Sequence, residues 1–88
     1  MSKDTGNIVR VLLFSVLQDA ADGQKEFEWP HEPGMTVETL LGQLYTRWPE
    51  LRRWDGQILV GVDLEYVERR RELRSGQEIA VMPPVQGG

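Results

Sequence analysis

Ten consecutive residues, Ile8 to Leu17 (IVRVLLFSVL), are apolar apart from Arg10 and Ser15 and dense in aliphatic side chains. A run of that length also suits a buried helix. The valine and isoleucine content, and the turn-forming Asp19–Gly23 stretch (DAADG) that follows, predict a strand instead. A strand apolar on both faces has to be covered on both, so it belongs in the middle of a sheet. With 88 residues in all, the chain has room for one domain and one modest core around that strand.

The remaining elements are arranged about it. Lys25 to Trp29 (KEFEW) alternates, with Phe27 and Trp29 on one face and Glu26 and Glu28 on the other, the period of a half-buried strand. Asp22-Gly23 between the two runs predicts an antiparallel hairpin whose connection exceeds two residues. Pro30 and Pro33-Gly34 end the pairing. Thr36 can cap a helix with its hydroxyl, Glu38 suits the positive end of the helix dipole, and Val37, Leu40, Leu41, Leu44 and Trp48 form one apolar stripe. Pro49 stops that helix. Residues 49–57 predict a turn-rich connector anchored by Trp54. Ile58 to Val62 predicts a buried strand, Tyr66-Val67 a short one, Ser75-Gly76 a turn, and Glu78 to Met82 the last strand, ended by Pro83. The order predicts an α+β fold: one mixed sheet with the helix across one face, the last strand lying parallel beside the first. That arrangement is the β-grasp, the ubiquitin-like roll. It is expected over residues 1–82, after a loose polar lead-in at residues 1–7, with 83–88 as an extended tail.

Composition removes several kinds of function. A net charge of −4 argues against nucleic acid, whose phosphates need a cationic face, and fits a partner with a basic groove. The four arginines of Glu68–Arg74 (ERRRELR) have no aromatic stacking partners beside them and are expected on a solvated hairpin surface. With no cysteine and a single histidine, there is no disulfide framework, thiolate site or multi-histidine metal cluster; His31, between prolines, is expected to be solvent-exposed. Asp19, Asp22 and Glu26 lack calcium-loop spacing. Trp29 and Trp48, like Trp54, are expected as core or connector anchors. The polar opening MSKDTGN is no signal peptide, and no apolar run approaches the ~20 residues of a membrane span. The expectation is a cytoplasmic protein without a membrane partner.

The last six residues form a device of their own. Pro83 and Pro84 favour a polyproline-like exit from the sheet, Val85 and Gln86 give a partner something to grip, and Gly87 and Gly88 can thread a narrow channel. The reactive atom of such an arm is the carboxylate of Gly88, inert until it gains a leaving group.

The stretch Ser75 to Gly88 (SGQEIAVMPPVQGG) resembles the end of molybdopterin synthase small subunits, ubiquitin-like sulfur carriers. Gly76, Glu78, Ala80, Pro83, Pro84, Val85, Gly87 and Gly88 match that pattern as they stand. Val9–Asp19 with Phe14, Thr36–Leu51 and Ile58–Val67 are similar to the family's first strand, helix and middle strand. Val81 and Met82 stand where the family often has aromatics, and Asp63 where it usually has asparagine. The resemblance implies that an E1-like adenylyltransferase activates Gly88 with ATP, that a persulfide converts it to a thiocarboxylate, and that the tail carries the sulfur into the large subunit of molybdopterin synthase, to a pyranopterin precursor. It implies no cofactor bound by this chain and no catalytic machinery of its own. It also implies a docking surface in which Phe14, Tyr66 and Met82 lead into Pro83, Pro84, Val85, Gln86 and Gly87. Phe14 as core and Tyr66 as a locally packed turn residue are the alternatives. A carrier for thiamine synthesis or tRNA thiolation, a ubiquitin-like protein modifier, and a passive interaction domain are the competing functions.

Overall fold

The structure, a computed structural model, describes residues 7–84. Its first strand, β1 (Ile8–Leu13), takes only the front of the apolar run. At Ser15 the backbone swings to φ 57°, ψ −133°, the first central position of a type II′ turn, and the Leu17 amide donates to the Phe14 carbonyl at 3.1 Å. A short helix, α1 (Val16–Ala20), follows. Leu17 and Ala21 are buried alongside Val9, Val11 and Leu13. The run is long because a strand and a helical turn draw on the same core. The other face of β1 is half solvated: Arg10 is exposed there and pairs with Glu26.

The second strand, β2 (Glu26–Pro30), runs antiparallel to β1 with Val9 opposite Trp29 and Val11 opposite Phe27. It is an edge strand, which is where a terminal proline is tolerated. Next come α2 (Val37–Arg47), a series of 3₁₀ turns over Pro49–Gln57, β3 (Leu59–Val62), β4 (Glu65–Tyr66) and β5 (Glu78–Met82). The strand order is β2-β1-β5-β3-β4. β5 lies parallel to β1, with Leu12 opposite Ala80, and antiparallel to β3. β1 is therefore interior, as its sequence predicts, while β5 holds the exact centre.

The helix covers one face of this sheet. Val37, Leu40, Leu41, Leu44 and Trp48 are all buried against Val9, Val11, Val60, Val62, Ile79 and Val81. Thr36 accepts the Thr39 amide on its hydroxyl oxygen at 3.2 Å. The two preceding amides are met from afar: Val37 donates to Arg71 O and Glu38 to Arg69 O, at 3.0 and 2.8 Å. Three donors that a helix start leaves open are thus satisfied. At the other end Phe27, Trp29 and Trp48 pack with ring centroids 5.2–6.0 Å apart.

Trp54 is half-buried and packs against the core, anchoring the 49–57 connector as expected, together with the fully buried Leu51. Two sequence expectations are corrected here. His31 is half-buried rather than solvent-exposed, its Nε2 2.7 Å from the Leu73 carbonyl, an acceptor that requires the proton on that nitrogen. The arginine-rich segment is only partly a solvated surface. Arg70, Arg71 and Arg74 are exposed, but Arg69 turns inward and Leu73 is buried. Among the described residues no helix is long and apolar enough to cross a membrane, and no group of side chains could hold a metal ion.

Candidate functional site

The sheet face opposite α2 is set by strand pleating. Leu12, Ala80, Gly61 and Tyr66 lie opposite one another across four strands, and Met82 pairs with Leu59 in the next row. Among the described residues no element packs over this face. It forms an apolar groove of about 290 Å³ lined by Phe14, Gly61, Leu64, Tyr66, Ala80 and Met82, with Glu65 and Glu78 completing the wall.

Each wall has a local cause. Phe14 follows Leu12 on the side of β1 away from the buried Val9, Val11 and Leu13 and is 43% exposed, while its amide stays tied to the Val81 carbonyl at 3.2 Å. Tyr66 is 74% exposed, held at the sheet edge by pairing with Gly61. These exposures exclude Phe14 as core and Tyr66 as a locally packed residue. Asp63 and Leu64, at φ 49° and 75°, make the two-residue connection of the β3–β4 hairpin. Both are left-handed, as a type I′ turn demands. Asp63 locks that turn to β5: its amide donates to Glu78 O at 2.9 Å, and its carboxylate accepts from the Glu78 amide and Gln77 Nε2 at 3.1 and 3.2 Å. The aspartate where the resembled family usually has asparagine thus supplies two acceptor oxygens, each in use.

Gly61 has no conformational need to be glycine, since it is not left-handed. A Cβ there would meet the Glu65 carbonyl oxygen at 3.5 Å and Met82 Cε at 3.7 Å, ordinary contact distances. With Ala80 beside it, Gly61 keeps the groove floor low between larger walls.

A second polar cluster lies outside the groove. Tyr45 Oη donates to Asp55 Oδ1 at 2.7 Å, and Arg69 donates to the same oxygen at 2.8 Å and to the Asp55 carbonyl. Burial, then the hydrogen bond to Asp55, push the Tyr45 hydroxyl well above the usual phenol range. Hydrogen bonds from Arg69 and then Tyr45 hold Asp55 below the usual carboxylate range. All partners are satisfied within the fold, so the cluster fastens α2, the 3₁₀ turns and the β4–β5 loop together.

Of the residues read from sequence as partner-binding, Phe14, Tyr66 and Met82 converge on one groove. Pro83 and Pro84, both half-buried, follow directly from Met82. Val85, Gln86, Gly87 and Gly88 lie outside the described residues. Sequence reasoning missed Leu64, Gly61, Ala80, Glu65 and Glu78 as groove residues. A leucine directly after Asp63, between two short strands, was the signal available, because turns rarely place a large apolar side chain there.

The ThiS family model matches residues 11–88. The chain belongs to the ThiS family. Among curated relatives of this ThiS-family chain, the molybdopterin synthase sulfur carrier subunit of Mycobacterium tuberculosis is 30% identical over 80 residues, covering 91% of this chain and 96% of the relative. The protein of the same description from Arabidopsis thaliana is 25% identical over 88 residues, covering 99% and 91%. The crystal structure of Haloferax volcanii small archaeal modifier protein 1 superimposes with a TM-score of 0.79 at 27% identity, covering 91% of this chain and all of that one. The β-grasp fold and the resemblance to molybdopterin synthase small subunits both stand on these likenesses.

Proposed function

We propose that this protein is the sulfur carrier of a molybdopterin synthase. The observation that carries the reading is continuity: β5 supplies Ala80 and Met82 to the apolar groove, and the sequence continues from Met82 as Pro83-Pro84-Val85-Gln86-Gly87-Gly88. A partner seated on the groove meets the chain where that segment begins. The relatives named molybdopterin synthase sulfur carrier subunit support the choice of pathway.

The chemistry follows from an inert carboxylate. A Gly88 carboxylate oxygen attacks the α-phosphorus of ATP on an E1-like adenylyltransferase, releasing pyrophosphate and giving an acyl adenylate. A persulfide sulfur attacks the acyl carbon and expels AMP. A thiol then cleaves the sulfur–sulfur bond and leaves the thiocarboxylate, a nucleophile ionised at neutral pH. In the large subunit its sulfur passes to the pyranopterin precursor and the carboxylate returns. Phe14, Tyr66 and Met82 grip the partner, and Pro83 to Gly87 guide the terminus.

Intact-mass analysis after coexpression with the activating enzyme and a sulfur source tests this. The expected product is heavier by sulfur minus oxygen, with the change confined to Gly88. Recovery of unmodified protein under conditions that thiolate a known carrier would overturn it. A second reading, protein modification through an isopeptide bond, is favoured by the likeness to small archaeal modifier protein 1. It requires Gly-Gly remnants on lysines of other proteins, traceable to this chain.

A further inference from the structure

Leu64 is the most exposed large apolar side chain among the described residues, at 97%, while seven other leucines (13, 17, 40, 41, 44, 51 and 73) are fully buried. It also stands at φ 75°, in a turn position that favours glycine or asparagine. The leucine therefore strains its backbone and wets its side chain, and it packs against nothing that would compensate. Local rules broken without a gain to the fold mark functional positions.

The geometry points to Leu64 as an anchor that inserts into an apolar notch of the protein that receives the tail, a notch edged by lysine or arginine. Three observations select that occupant. Leu64 borders the same groove as Tyr66 and Met82, so it is continuous with the surface at the root of the tail. The neighbouring side chains Asp63, Glu65 and Glu78 are acidic and exposed; Arg71, 3.9 Å from Glu65, offsets one of them, and the remaining excess of acid matches a surface that is basic around its apolar centre. Asp63 pins the turn to Glu78 and Gln77, so the side chain is held on a rigid hairpin, which lowers the ordering cost of binding. A small-molecule occupant fits less well, because the groove is open and a nearly free leucine does not enclose a ligand.

This inference rests on the proposed carrier function, and the experiment separates the two. Full-length protein is titrated against the purified molybdopterin synthase large subunit from the same genome, with Leu64→Gly and Leu64→Met as variants and thermal unfolding recorded for each. Leu64→Gly relieves the left-handed strain, so its melting temperature is expected to equal or exceed wild type while binding weakens at least about tenfold, as for a hot-spot residue. Leu64→Met is expected to bind within about threefold, since methionine fills the same space. Wild-type affinity in Leu64→Gly, with wild type itself binding, overturns the anchor alone. Failure of the wild-type protein to bind the large subunit overturns both the anchor and the carrier reading.

Discussion

Three residues with side chains, Ser15, Asp63 and Leu64, hold left-handed backbone beside the groove. Ser15 illustrates what such a residue does. Its dihedrals belong to a position where glycine is preferred, and its hydroxyl makes no capping hydrogen bond to α1. The strain costs about 1–3 kcal/mol, offset by the roughly 0.5–1 kcal/mol of extra unfolded-state freedom that glycine would bring. The balance is a gain of up to about 2.5 kcal/mol, so Ser15→Gly is expected to raise the melting temperature, by about 4–8 °C for each kcal/mol relieved, and Ser15→Val to lower it. Equal melting temperatures for Gly and Val would show that the turn is not strained. The sequence hides this turn. Phe14 and Val16 look like strand residues because an apolar side chain has the same signature whether it faces the core or a partner. The alternation of β1 sets Phe14 on the Leu12 face, and the backbone reversal at Ser15 then ends the strand, with no mark of it in the serine itself.

At the level of elements, α2 was legible from Thr36 to Trp48 because its signals are local: a cap, a stripe at helical spacing and a proline stop. What fastens it was not. The carbonyls of Arg69 and Arg71, and the side chains of Asp55 and Arg69, arrive from segments far along the chain, and no periodicity announces them. The cluster gives stability a defined pH dependence. Asp55 has its carboxyl lowered in the folded state, by Arg69 first and Tyr45 second. Its contribution is present above the unfolded-state value of about 4 and is lost as pH falls through the lower folded value. Tyr45 is raised, by burial first and its bond to Asp55 second. Its contribution is whole below about pH 10 and declines as pH climbs beyond that. Urea midpoints are expected to plateau from about pH 5 to 9 and to fall on either side. Asp55→Asn should shallow the acid limb and Tyr45→Phe the alkaline one. A Tyr45→Phe alkaline limb parallel to wild type would remove the phenol from this account.

For the molecule as a whole, one sheet separates two duties. One face binds α2 and holds the core; the other offers apolar side chains beside Asp63, Glu65 and Glu78, with Arg10 and Arg71 as neighbouring cations. The topology was legible because β1 is too apolar to sit at an edge and no hairpin joins it to β5, so the two can lie side by side in parallel. The groove's acidic residues were not legible as a unit, since Asp63, Glu65 and Glu78 meet only through the β3–β4 and β3–β5 pairings. This arrangement, on a chain of net charge −4, predicts how the partner is found. Glutamates at the rim of an interface steer encounter more than they hold the complex, and their reach is about 10 Å at 0.1 M salt. Association with the large synthase subunit is expected to slow as salt rises while dissociation stays nearly constant. Glu65→Gln and Glu78→Gln should each slow association a few-fold at low salt and leave dissociation within about twofold. Leu64→Gly should do the reverse, speeding dissociation and sparing association, because an apolar anchor acts only once the surfaces touch. Stopped-flow or surface-based kinetics at several ionic strengths reads both limbs. Association that ignores salt, or a Leu64 variant that changes only the association rate, would mean that the acidic residues and the leucine do not share one interface.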